Sequence, residues 1–136
     1  MENIFNGLFK KKEIYIHFEN VQQAIKKDNI LIINTLSNSE QDCLIKNTVL
    51  YEKEENIINE LLSPFQSIQK KVIIYGKNCC DNSVDKKANQ LISLGFKEVY
   101  IYRGGLFEWL LLQDIYGKDE FPTTKKVLDL LKYRPK

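Results

Sequence analysis

Two adjacent cysteines, Cys79 and Cys80, sit in the stretch YGKNCCDNS at residues 75–83 and are the side chains of this sequence best suited to covalent chemistry. A thiolate is the reactive form of cysteine, and the surrounding charge decides whether a thiol becomes one. Asp81, Asn82 and Ser83 are all residue types that start helices. A helix beginning there places both thiols within a turn of free N–H groups and of the positive dipole end, which favours the thiolate. Successive loop N–H groups can also cradle an anionic persulfide. Lys77 and Lys86 add positive charge, so Lys77, Asn78, Asp81, Asn82 and Ser83 are candidate substrate-binding residues beside the candidate nucleophiles Cys80 and Cys79. Arg103 is a further candidate anion contact. The plainer reading of a free cysteine is a small buried apolar residue.

Other chemistries are poorly supported. Cys43 has no partner near it in sequence and reads as structural. A zinc site needs four ligands, and the three cysteines with His17 are too dispersed to supply them. A Cys79–Cys80 disulfide would be strained. Neither metal nor organic cofactor is expected. His17 reads as a surface or satisfied residue, not a catalytic base.

These residues need elements to hold them, and the hydrophobic pattern supplies a set. Residues 13–17 (EIYIH) alternate as a short strand, and 18–27 place Val21, Ala24 and Ile25 at helical spacing. The run ILIINTL at 30–36 has the apolar continuity of a strand covered on both faces. LIKNTVLY, residues 44–51, is another short strand candidate. EKEENIINELLSPF is a helix with Ile57, Ile58, Leu61 and Leu62 as its stripe and Pro64 marking its end. KKVIIYG is a strand, Ser83 to Leu94 a helix closed by Gly95, and KEVYIY a strand leading into Arg103-Gly104-Gly105. LFEWLLLQDIY is a helix candidate, FPTT a turn, and residues from about 124 to 134 are expected to form a closing helix. Alternating strands and helices imply one α/β domain with a central, mostly parallel sheet flanked by helices. Sites in such sheets gather where strands end and helices begin, and YGKNCCDNS lies at such a place.

Composition narrows the partners. The 136 residues are 43% hydrophobic and 28% charged, as in a globular domain. A net charge of +2 without a basic face gives nucleic acid little to bind. Lys10-Lys11-Lys12 reads as a solvated turn. No segment is apolar over the ~18 residues of a membrane span, and the N-terminus lacks a secretory pattern. An odd cysteine count suits a reducing compartment, so a cytoplasmic location is expected.

From residue 72 to 109 the order is VIIYG, a cysteine-containing loop, a helix ending in LGF, the strand KEVYIY, and RGGLFEW. This resembles the rhodanese-like family. Gly104, Gly105 and Trp109 match its Gly-Gly-x-x-x-Trp element, and Gly95-Phe96 its helix-ending glycine and aromatic. The likeness extends weakly upstream and spans about residues 14 to 124. The ending FEWLLLQDIYG is similar to that of small family members from giant DNA viruses. The resemblance implies a sulfurtransferase with a small sulfur donor and acceptor. Cys80, or else Cys79, would attack a sulfane sulfur and carry it as a persulfide. Departures point another way. The family nucleophile stands directly at the strand end, where this chain has Gly76, and no arginine lies between Lys71 and Arg103. Asn34 and Leu36 replace the Asp and Arg of an upstream step, and phosphatase chemistry lacks its phosphate-binding arginine. The alternative is a domain that has lost catalysis and binds or regulates a protein partner, with residues 106–116 as its surface. A third reading is a thiol redox sensor using the cysteine pair.

Overall fold

The computed structural model describes residues 14–62 and 70–136. Lys10-Lys11-Lys12, Glu13 of the first strand candidate and Pro64 lie outside them. Four strands pair in one parallel sheet: β1 (Tyr15–Ile16), β2 (Ile30–Asn34), β3 (Lys71–Tyr75) and β4 (Glu98–Tyr102), in the spatial order β1-β4-β3-β2. Among the described residues four α-helices flank it: α1 (Phe18–Ile25), α2 (Tyr51–Leu61), α3 (Ser83–Leu94) and α4 (Gly105–Tyr116).

The β-branched runs explain the layering. Successive strand side chains point to opposite faces. Ile32, Ile73, Tyr75 and Tyr102 pack with Val21 and Ala24 of α1 and with Leu106, Trp109 and Leu110 of α4. Ile33, Val72, Ile74, Val99 and Ile101 face the other way, onto Ile58 of α2 and Val84, Ala88 and Leu91 of α3. A strand apolar at every position is therefore buried on both faces, as its sequence implies. Gly95 ends α3 at φ 114° and donates its N–H to the Ile92 carbonyl, the left-handed cap that glycine adopts without strain.

Two expected elements are replaced by irregular chain. The LIKNTVLY segment forms only single bridges, Ile45 to Thr123 and Ile32 to Thr48, because Asn47 turns the backbone at φ 69° between them. The closing helix expected over about 124–134 is instead an extended strap ending in a 3-10 turn at Leu130–Tyr133. Backbone bonds hold the strap's beginning straight. Lys46 N–H donates to the Pro122 carbonyl, and Thr124 N–H to the Leu44 carbonyl at 2.8 Å. Leu128, on the stripe that a helix would have buried, is 90% exposed.

Tyr75 ties this irregular region to the sheet. Its fully buried hydroxyl accepts the Ile45 N–H at 3.1 Å and lies 2.8 Å from the Thr48 hydroxyl, which itself donates to the Ile45 carbonyl. Tyr75→Phe strands the Ile45 N–H inside the core, so urea unfolding should show a loss of about 1–3 kcal/mol with an unchanged m-value.

Candidate active site

The register places the ends of β1 to β4 in one row: Ile16 beside Tyr102, Tyr102 beside Tyr75, and Tyr75 beside Asn34. Thr35, Gly76 and Arg103 therefore leave the sheet at the same edge. Gly76 is buried, and the chain then turns through residues 77–82 before α3. Asn78 shapes this turn. Its Oδ1 accepts the Cys80 N–H at 3.0 Å, its carbonyl accepts the Asp81 N–H at 3.2 Å, and its Nδ2 donates to the Tyr133 carbonyl at 2.9 Å.

Asp81 folds back beneath the turn. Its Oδ2 accepts the Lys77 N–H at 3.0 Å, and its Oδ1 accepts the Ser83 N–H at 3.0 Å and the Ser83 hydroxyl at 2.5 Å. The Ser83 oxygen is also 2.7 Å from the Thr35 hydroxyl. With one proton to give, Ser83 donates to the carboxylate and accepts from Thr35. Burial opposes the charged form of Asp81, but the bonds from Lys77 and Ser83 together with the Lys77 charge outweigh it and hold the carboxyl below its usual range. A Cβ on Gly76 would lie 2.5 Å from Asp81 Oδ2 and 3.0 Å from the Thr35 hydroxyl oxygen. The carboxylate thus occupies the space that a side chain at position 76 would need.

The two cysteines lie outside this arrangement. Both are exposed free thiols, with their sulfurs 3.9 Å apart. The Ser83 N–H at the start of α3 goes to Asp81, not to a sulfur, and contact with Cys79 pushes the Cys80 thiol up, against the expected direction. Lys77 pairs its ammonium with Glu40 at 2.8 Å, and that bond in turn lowers the Glu40 carboxyl. Arg103 is held by both Asp85 oxygens, at 2.7 and 3.3 Å, and lies over the Tyr15 ring. Asn82 is exposed and gives its carbonyl to the Asp85 N–H. Lys86, with Thr35 and Ser83, borders an open hollow of ≈ 310 Å³ beside the loop. Of the expected binding residues, then, Lys77, Asn78, Asp81 and Ser83 meet in one network, while Arg103 stands apart. Thr35, Glu40 and Tyr133 join that network without a sequence signal, except that Thr35 follows a strand end. Cys43 is buried with its thiol 3.2 Å from the Lys125 carbonyl, and burial pushes that thiol up. His17 is exposed, its backbone N–H donating to Asn20 at the start of α1.

Gly104-Gly105 brings α4 against the loop. Leu106 N–H donates to the Gly76 carbonyl and Phe107 N–H to the Lys77 carbonyl, both at 2.9 Å. Gly105 sits at φ +72°, and a Cβ there would come within 2.9 Å of the Gly76 carbonyl oxygen and 3.0 Å of the Asn78 backbone. Trp109 is fully buried, edge-on to Phe121 and Tyr102, with its indole N–H on the Pro122 carbonyl at 3.1 Å. It is core, not a pocket wall.

The family model for rhodanese-like domains matches residues 17–112, which covers β2, β3 and β4, the loop and most of α4. The chain belongs to the rhodanese-like domain family. Solved structures agree in fold. The rhodanese-like domain is 18% identical to the BH2092 protein of Bacillus halodurans, with 86% of this chain and 84% of that one covered at a TM-score of 0.60. A full-length protein from Lactobacillus plantarum is 18% identical over 82% of this chain and 93% of its own, at 0.58. The Alr3790 protein of Anabaena is 19% identical over 86% of each chain, at 0.55. At these identities the likeness carries the fold alone. No curated protein matches the chain. No helix among the described residues is long and apolar enough to cross a membrane.

Two outcomes follow from the loop geometry. Gly105→Ala forces a Cβ into backbone at a left-handed position and should cost about 2–5 kcal/mol in denaturant unfolding. Because the folded state depresses the Asp81 pKa, its contribution is full above the ordinary aspartate value of about 3.9 and is lost as pH falls through the folded value. Asp81→Asn should therefore destabilise the domain at neutral pH, and the gap to wild type should shrink in acid unfolding below that range.

Proposed function

We propose that this rhodanese-like domain is a binding or regulatory module that has given up sulfur chemistry at its strand end. The observation that carries this reading is the Asp81 carboxylate. It takes the Lys77 and Ser83 donors of the loop for itself and fills the space beside Gly76. An anionic persulfide in that place would meet a negative charge and find those two donors taken. The paired states of Lys77 and Arg103 leave neither cation free for an incoming anion. A protein partner is the expected ligand. On α4, Leu106, Trp109 and Leu110 are buried, so the surface offered is Leu111, Ile115 and Tyr116, the last two about two-thirds exposed.

A second reading keeps the sulfurtransferase, with Cys80 or Cys79 as the carrier, and the exposure of both thiols favours it. A cysteine thiolate would take the outer sulfur of thiosulfate and release sulfite. Intact-mass spectrometry after incubation with thiosulfate separates the two. The binding-module reading expects no sulfur gain in wild type or in Gly76→Cys, and a gain of one sulfur in Gly76→Cys/Asp81→Ala, where the carboxylate no longer blocks the new side chain. A sulfur gained by wild type and lost in Cys80→Ser or Cys79→Ser would establish the transferase instead.

A further inference from the structure

We propose that Cys79 and Cys80 together form a two-point binding site for trivalent arsenic in its monosubstituted form, an acceptor whose bonding is completed by two sulfurs. The sulfurs are exposed and 3.9 Å apart. Their turn is fixed on either side, by Asn78 through the Cys80 and Asp81 N–H groups and the Tyr133 carbonyl, and by the Asp81 carboxylate beneath. The pair is thus presented outward on a braced backbone, and a ligand has only side-chain torsions to adjust.

Coordination number selects the class of ligand. Thiols choose soft acceptors, but a structural zinc ion needs four protein donors. Among the described residues no group of three or more His, Cys, Asp or Glu is placed to hold a metal ion. A copper(I) bis-thiolate would carry net negative charge, and the cation nearest in sequence, Lys77, is already paired with Glu40. A disulfide is also disfavoured. Consecutive Cα atoms lie about 3.8 Å apart, short of the roughly 4.4 Å at which disulfides begin. An arsenic atom inserted between the sulfurs enlarges that ring by one member and leaves a neutral product. In the reaction, two S–H bonds and the two arsenic–oxygen bonds of an organoarsenic(III) oxide break, and two arsenic–sulfur bonds form. The two thiol protons leave with the oxygen as water. Arsenic stays trivalent and sulfur stays reduced, so no oxidant is needed. The site does not depend on the binding-module reading.

The test uses the full reduced chain with phenylarsine oxide, followed by intact-mass spectrometry during a chase with excess 2-mercaptoethanol. A single thiol gives an adduct that a monothiol exchanges, whereas two linked thiols rebind before exchange is complete. Wild type and Cys43→Ser should each retain one phenylarsenic group and yield it only to 1,2-ethanedithiol. Cys79→Ser and Cys80→Ser should each lose it faster by about 10²-fold. Retention in either of those two variants, loss from wild type at their rate, or loss caused by Cys43→Ser would overturn the proposal. None of these outcomes depends on whether thiosulfate modifies the chain.

Discussion

Parallel alignment of the strand ends is the constraint from which the rest of this molecule follows. A parallel sheet returns every strand through a crossover, so each strand meets its next segment at the same edge. Because β2, β3 and β4 stop in register, residues 35, 76 and 103 emerge side by side although the sequence separates them widely. The loop after β3 is then hemmed in by the segment after β2, by the start of α4 and by the end of the strap. Little of its conformation is left to the loop itself.

What fills that confined space is a balance of charge. A persulfide held in the loop would need N–H donors left open for it. Here the anion is internal, Asp81 with its backbone and hydroxyl donors, and the cations Lys77 and Arg103 are paired with Glu40 and Asp85. The half-exposed ion pairs contribute little to stability individually. Their effect is on reactivity, because the Lys77 ammonium, the Arg103 guanidinium and the Lys77 and Ser83 N–H groups are already engaged when a substrate arrives. Asp81 differs from the ion pairs in that it is partly buried and bound from several directions, so it cannot leave without stranding the groups that hold it.

The architecture was legible because its cues are local. Apolar runs such as Val72-Ile73-Ile74, helix stripes such as Val84, Ala88 and Leu91, and the Gly95 stop each depend on neighbours within a few residues. The Gly-Gly-x-x-x-Trp element was equally plain, and the structure gives it a packing role. The strap was missed for the opposite reason. Val127, Leu128, Leu130 and Leu131 have helical spacing, but long-range backbone pairing with residues 44–46 overrides local preference. At the site, Asp81 was visible as a helix-capping residue. Nothing in the order of the residues told that its other oxygen would reach back to Lys77, or that Gly76 would be needed to admit it. The expected stabilisation of a thiolate meets the same point, since the Ser83 N–H at the start of α3 has the Asp81 carboxylate as a nearer acceptor.

The Asn78–Tyr133 bond separates two meanings of the word domain. The family match stops at residue 112, yet the indole of Trp109 is satisfied by Pro122, and the turn bearing the cysteines is braced by the carbonyl of Tyr133. The part of the chain that records ancestry is therefore shorter than the part that holds itself together. Sequence drift in the strap, which looks unconstrained beside the family motifs, acts on the posture of a loop some fifty-five positions upstream.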